Sequence, residues 1–407
     1  MRNFGFCLLI TAVLLCGARL SSADDGGGEM LMASPESVGM ISSQLNFIDE
    51  AVAASMKAKE IPGAVVLVAR HGQIAYLKAF GNRSVKPSTE PMTVDTIFDI
   101  SSLTKVVATL PSIMLLVENG TLRIEDKVKH YLPKFTGDGK DDITVRHLLN
   151  HYSGLPAGFD LSRKWSGTAE ALEELWDIDT DAEPGREFKY SDLNFIALGE
   201  IVRVLSGMTL DVFAKERIFS PLGMRDTCFR PPASLAARIA PTEPRRNERR
   251  STSANQMIRG EVHDPTAWRM GGVAGHAGLF STARDLAVFA QMLLNRGSYA
   301  GKRLLSPLGV AAMISPQSPA DQPEIRGFGW DIHSTYSAPK GDLFYRGVGH
   351  SGFTGVSLWI HPATDTSIIL LTSRLHPGGG KSINHLRAVV ANIVAASILD
   401  PDEKRNN

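Results

Sequence analysis

The apolar positions along this chain change period twice, and those changes outline its architecture. Leu45, Ile48, Val52 and Met56 recur at helical spacing and predict a helix over 44–57. Residues 64–69 then form an unbroken apolar, β-branched run. His71-Gly72 reads as a turn and 74–80 alternates loosely, so an antiparallel hairpin is the simplest arrangement. Leu103, Val106, Leu110, Met114 and Val117 return to helical spacing and predict a helix over 102–118, kinked at Pro111, which lacks the N–H that a helix interior requires. Helical patterning dominates 120–300, where 194–205 is closed by Gly207 and 283–294 by Gly297. Strand patterns come back at 327–332, 343–348, 356–361 and 366–372, with Pro362-Ala363-Thr364-Asp365 as a turn, and 386–398 reads as a closing helix.

Strands at both chain ends around a helical middle predict an α/β fold of the α+β type. One antiparallel sheet would be built from both ends with helices against it, beside a mostly helical second lobe. No long linker, charge run or internal repeat divides the chain. The expected layout is a polar segment at 24–40 and one unit over 41–400, its sheet lobe about 41–100 and 300–400 and its helical lobe about 101–299. A cleft between the lobes is the natural place for a ligand.

The first 23 residues carry Arg2, an apolar stretch from Phe4 to Leu15 and the small residues Ser21-Ser22-Ala23, the layout of a cleaved secretory signal. About a dozen apolar residues fall short of the roughly 20 needed to span a bilayer, so stable membrane insertion after cleavage is not expected. Leu15 stands before Cys16 where lipidation uses a small residue, which argues against a lipid anchor. Export implies a periplasmic or secreted protein. At 43% apolar and 21% charged residues, the 407-residue chain has an ordinary globular composition. Of its 43 basic residues the signal takes Arg2 and Arg19, leaving 41 against 43 acidic ones, a net charge of −2 that disfavours nucleic acid as a partner. Cys7 and Cys16 also leave with the signal. Cys228 then has no intrachain partner, and with no nearby His it reads as a small buried residue.

Phe98-Asp99-Ile100-Ser101-Ser102-Leu103-Thr104-Lys105 places Ser102 and Lys105 three residues apart at a predicted helix start, where two such side chains share a face. Free N–H groups there favour an oxyanion, and a desolvated lysine loses affinity for its proton and can act as a base. Such a pair arises about once by chance in a chain of this length. Ser337-Ala338-Pro339-Lys340 is a second instance, disqualified by Pro339. Tyr190-Ser191-Asp192 precedes the helix expected from about 193, a setting in which Tyr usually packs and Asp or Ser usually caps. His350-Ser351-Gly352-Phe353 lies between strands, where Gly admits a ligand backbone or simply makes a turn.

Taken together in this order, these segments resemble the serine β-lactamase and penicillin-binding protein superfamily, in its class C-like branch, which includes family VIII carboxylesterases and D-amino-acid peptidases. The resemblance spans about 40–400. It includes Ile61-Pro62-Gly63, the stretch from Thr144 to Pro156, Glu183-Pro184-Gly185, the stretch from Gly272 to Ser281, and Gly327-Phe328-Gly329-Trp330, which looks like the active-site edge-strand region. It implies an acyl-enzyme on Ser102, with Lys105 and Tyr190 moving the proton and the N–H groups of Ser102 and Phe353 forming the oxyanion hole. Asp192, His350, Ser351 and Gly352 would contact substrate. His350 stands where many β-lactamases have Lys, and Asp192 where Asn is usual. A neutral His350 would hold a substrate carboxylate less firmly, which points away from an efficient β-lactamase and towards a D-Ala-D-Ala-type carboxypeptidase or a carboxylesterase.

No cofactor and no metal is expected. His147 and His151 lie four apart on an expected helix, but Leu148 stands where a zincin has Glu. His263 and His276 are open between lining the cleft and serving as structural residues. Arg245, Arg246, Arg249 and Arg250 read as a solvated loop or a grip on an anionic wall polymer. The expected substrate is a small molecule or a peptidoglycan-type peptide; oligomeric state is not legible. A non-catalytic penicillin-binding or wall-binding sensor and a true class C-like β-lactamase are the alternatives, the sensor disfavoured by chemically competent residues at every motif position.

Overall fold

The computed structural model describes residues 29–245 and 256–399. The expected signal at 1–23, with Cys7 and Cys16, lies outside them, as do Arg246, Arg249 and Arg250. The principal sheet has eight strands: β1 (Gly63–Arg70), β2 (Gln73–Ser84), β3 (Glu90–Pro91), β4 (Ile325–Arg326), β5 (Asp331–His333), β6 (Val348–Ser351), β7 (Ser357–His361) and β8 (Thr366–Leu371). Their order is β3-β2-β1-β8-β7-β6-β5-β4, and every pairing is antiparallel. The expected sheet from both ends is present, joined where β1 meets β8 with Val65 opposite Leu371.

The unbroken apolar run of β1 follows from burial on both faces. Val65, Leu67 and Ala69 point into one core, and Ala64, Val66 and Val68 into the other. Such a strand cannot fix its register by alternation. The β1–β2 turn does so instead: His71 and Gly72 both adopt positive φ (52° and 76°), as a tight hairpin turn requires. One face is covered by α1 (Phe47–Lys57) and, near the C-terminus, by Asn384–Ala396. The larger core lies on the other face, under α2 (Leu110–Glu118), α3 (Val145–Asn150), α4 (Asp192–Ser206) and α5 (Ala283–Leu294); Asn384–Ala396 is α6. Among the described residues no helix is long and apolar enough to cross a membrane.

Two strand expectations are corrected. Residues 343–348 do not form a strand, because Leu343 and Tyr345 are solvent-exposed in a loop and only Val348 opens β6. Of the run 327–332 only Asp331 and Ile332 lie in a strand, β5; residues 327–330 form the turn between β4 and β5, with Gly329 at a left-handed φ of 70°. The helix expected from 102 contains a π-helical turn over Lys105–Thr109 that runs without a break into α2, and Pro111 follows that turn inside the continuous helix. Cys228 is half-buried on a short strand, its thiol pushed up to about 11 by burial, with Asp226 adding to it.

Candidate active site

Asp99 builds the entrance to the site from below. Its carboxylate is fully enclosed, accepting the Ser101 N–H at 2.8 Å and the His263 N–H at 2.6 Å, while its carbonyl accepts the Thr354 hydroxyl at 2.8 Å. Burial pushes this carboxyl up in spite of those donors. The anchored turn holds Ser101 at φ 49°, a left-handed backbone costly for a residue with a side chain. Ser102 is thereby presented in the opening turn of the helix, and Lys105 lies one turn on with its Nζ 3.3 Å from Ser102 Oγ.

Lys105 is completely buried. Its ammonium donates to the His276 carbonyl at 3.1 Å and lies 2.7 Å from Asp192 Oδ1, 5.0 Å from the centre of the Tyr190 ring and 5.8 Å from that of Phe195. Burial by itself weakens its hold on the proton. The charge of Asp192, with help from Tyr190, outweighs burial and moves Lys105 above its usual range. Asp192 is the first residue of α4, and its N–H donates to the Ala157 carbonyl at 2.8 Å, so its carboxylate is left to the lysine.

Tyr190 stacks on His151 with ring centres 4.5 Å apart and lies 6.0 Å from His350. His350, buried on β6, is pushed well below its usual range by burial and then by Arg326 and Lys105, so it is neutral at pH 7. Gly352 has no room for a side chain: a Cβ there would meet the Ile100 carbonyl at 2.7 Å. Ser351 Oγ has no hydrogen-bond partner among the described residues. The Phe353 N–H donates to Ser101 Oγ at 3.2 Å, and the Phe353 ring is exposed between the His263 ring and the Arg374 guanidinium. Ser102, Tyr190, His350, Ser351, Gly352 and Phe353 all line one open cleft of about 380 Å³, with Lys105 and Asp192 behind it.

Other sequence readings fall elsewhere. Lys340 is buried, bonding the Ile332 and Tyr345 carbonyls, and Ser337 bonds Asp331, so the second Ser-x-x-Lys is structural. His147 and His151 do not share a helix face: His151 is the left-handed cap of α3, its Nδ1 facing the Ser191 N–H and the Asn194 amide. His263 pairs with Glu243 at 3.0 Å and Arg245 with Glu261 at 3.0 Å. Neither His263 nor His276 lines the cleft; His276 lies behind Lys105, its Nε2 2.9 Å from Asp264. Donor atoms of Asp192, Asp264 and His276 lie within 4.8 Å of one another, and the Lys105 ammonium lies 2.7 Å from Asp192 Oδ1.

Three further cleft features had no sequence signal of their own. Arg374 and Arg387 both line the cleft, and among the described residues neither has a carboxylate partner. Arg387 is buried and donates to the Gly352 and Val356 carbonyls at 3.1 and 2.8 Å; burial, then Arg374, push it down to about 9. Arg374 donates to the Phe353 carbonyl at 2.7 Å. Tyr336 completes the aromatic wall, 5.3 Å from the Tyr190 ring.

A family model described as Beta-lactamase matches residues 48–392. The chain belongs to the beta-lactamase family. A Salmonella schwarzengrund (strain CVM19633) relative named "Putative D-alanyl-D-alanine carboxypeptidase" is 33% identical over 374 residues, covering 84% of this chain and 86% of the relative. The fold is shared with EstCE1, described as a hydrolase with promiscuous acyltransferase activity, at a TM-score of 0.69 and 22% identity over 87% of this chain and 99% of that one. It is shared equally with the octameric penicillin-binding protein homologue from Pyrococcus abyssi, at 0.69 and 22% over 88% and 79%. Membership makes the protein a β-lactamase-related hydrolase.

Proposed function

We propose that this protein is an exported serine hydrolase that forms an acyl-enzyme on Ser102 and removes the terminal residue of D-alanyl-D-alanine-type peptides. The observation that carries the reading is the 3.3 Å contact between Lys105 Nζ and Ser102 Oγ at the wall of an open cleft. Ser102 Oγ attacks the carbonyl carbon as its proton passes to Lys105 in its neutral form, the minor one at neutral pH because Asp192 holds the ammonium. Tyr190 relays a proton to the leaving amine, the C–N bond breaks, and water later cleaves the acyl ester. The oxyanion is received by the N–H groups of Ser102 and Phe353, the latter released from Ser101 Oγ; losing such a donor typically costs about 10² to 10³ in rate.

Two cleft arginines with no carboxylate partner among the described residues favour a substrate that ends in a carboxylate, which a peptide does and a simple ester does not. The Salmonella relative's name supports the same class. Neutral His350 leaves the carboxylate to those arginines, and the signal-like first 23 residues support a periplasmic or secreted location. Intact-mass analysis with a penicillin, alongside turnover of a D-Ala-D-Ala peptide, a nitrophenyl ester and a cephalosporin, tests the proposal. Wild type should gain a penicilloyl mass that Ser102→Ala does not, release D-alanine, and hydrolyse the cephalosporin with kcat/KM well below about 10⁶ M⁻¹s⁻¹. Labelling of Ser102→Ala equal to wild type would end the proposal. Ester turnover without peptide turnover would make the protein a carboxylesterase.

A further inference from the structure

The end of β6, which carries the Phe353 N–H, is stitched to the turn before Ser102 by two contacts of different kinds. One is fixed: the Thr354 hydroxyl donates to the Asp99 carbonyl at 2.8 Å, and both residues are buried. The other is made by a side chain, where the Phe353 N–H donates to the Ser101 hydroxyl oxygen at 3.2 Å, the long end of the usual range. Gly352 lets the two segments meet so closely, since a Cβ there would lie 2.7 Å from the Ile100 carbonyl and 3.2 Å from Ser101 Cβ. The Ser101 backbone cannot back away. Its N–H is held by Asp99 Oδ1 at 2.8 Å, its carbonyl accepts the Thr104 hydroxyl at 2.7 Å and the Thr104 N–H at 3.0 Å, and its φ is 49°. Those bonds pin every part of Ser101 except rotation about χ1.

We propose, resting on the assignment of the Phe353 N–H to the oxyanion hole of Ser102, that Ser101 is a latch on that hole: its hydroxyl holds the N–H in the resting site and gives it up, by rotation about χ1, when the carbonyl oxygen of a substrate arrives. An N–H has one hydrogen to donate. While Ser101 Oγ accepts it, an oxygen bound at Ser102 is left with the Ser102 N–H alone. The substrate therefore competes with a side chain already in place, and its apparent affinity falls with the fraction of sites in which the latch is open. An oxyanion is a stronger acceptor than a hydroxyl, so the exchange turns in the substrate's favour as the bond to Ser102 forms. No covalent bond changes at the latch; one hydrogen bond changes its acceptor. A neutral hydrogen bond of this kind is worth about three- to tenfold in such an equilibrium.

The test is the second-order rate constant for labelling of Ser102 by a fluorescent phosphonate, whose oxygen seeks the same hole, measured across pH. Ser101→Ala removes the hydroxyl and should speed labelling about three- to tenfold at every pH, with the acid limb unmoved. Ser101→Gly also lacks the hydroxyl and takes the left-handed backbone without strain, so it should label as fast and serves if the alanine variant does not fold. The Phe353 amide should exchange its hydrogen faster in either variant than in wild type, a readout that needs no turnover. Labelling unchanged or slowed in a folded variant overturns the proposal, and so does a Phe353 amide that exchanges no faster. A gain that comes with a shifted acid limb overturns it as well, because the effect would then lie on Lys105. Wild type that takes no label at Ser102 would instead end the functional reading on which the proposal rests.

Discussion

Replacing Asp192 by Asn removes the charge nearest Lys105 while keeping the side chain's shape, and its effect follows from the geometry. At a separation of 2.7 Å, two unit charges in a medium of effective dielectric about 20 attract by about 6 kcal/mol, a ceiling of roughly four pH units on the lysine. Asp192 is 33% exposed on its side chain, so water screens the pair, and a quarter to a half of that ceiling is the reasonable expectation: one to two pH units, about 1.4 to 3 kcal/mol. In the proposed mechanism Lys105 must be neutral to take the Ser102 proton, so kcat/KM should rise with pH through the lysine's titration. Asp192→Asn lowers that titration and the acid limb moves to lower pH.

The same pair has a stability signature with a definite sign. A lysine whose folded value is raised above its ordinary 10.5 contributes stability that is complete below 10.5 and is lost only as pH rises past the folded value. Asp192→Asn should therefore melt lower than wild type throughout neutral and mildly alkaline pH. A helix cap would behave differently: its loss costs about 1 kcal/mol and leaves the pH–rate profile in place. The Asp192 N–H bonds Ala157 and the carboxylate meets Lys105, so the profile should shift. pH–rate curves and melting temperature on one variant decide, and an unmoved acid limb refutes the electrostatic argument whatever the melting temperature does.

Arg374→Gln removes a cleft cation, and KM for a D-Ala-D-Ala peptide should rise about tenfold while turnover of a neutral nitrophenyl ester stays within about twofold; equal losses on both substrates would show that Arg374 acts by bracing Phe353 instead. Gly275→Ala would put a Cβ 1.8 Å from the Phe195 carbonyl and 3.2 Å from the Gly199 nitrogen, so the loop must lift from α4. That overpacking should cost about 1 to 3 kcal/mol and, because the His276 carbonyl that accepts from Lys105 is displaced with the loop, should also slow labelling of Ser102 by a fluorescent phosphonate; a fall in melting temperature without slower labelling would show that the loop does not serve Lys105.

The fold was readable where burial wrote itself into the sequence. The apolar run 64–69, buried on both faces, the hairpin turn at His71-Gly72 and the periodic helices at 44–57 and 283–294 each matched a local physical requirement. Reading failed where apolar residues serve something other than a strand. Leu343 and Tyr345 pattern like a strand yet face solvent, and Phe328 and Trp330 are buried in and beside a turn that Gly329 permits. The positions of Ser102, Lys105, Tyr190 and His350 came from motifs, but their surroundings did not. Arg387 lies on α6 and Arg374 after β8, and no spacing connects them to residue 102.

What turns a commonplace Ser-x-x-Lys into a reactive pair lies in the residues around it. Burial pulls Lys105 towards its neutral form, and a neutral lysine 3.3 Å from a hydroxyl would be a ready base. Asp192 reverses that, so the resting site keeps a charged lysine and its reactivity is set by how firmly its neighbours hold the proton. Those neighbours arrive from separate parts of the chain: Asp192 opens α4, His276 hangs from a loop that a close glycine contact seats on α4, and Asp264 caps a short helix. A carboxylate where Asn is usual therefore sets how firmly the lysine holds its proton, and removing its charge should loosen that hold.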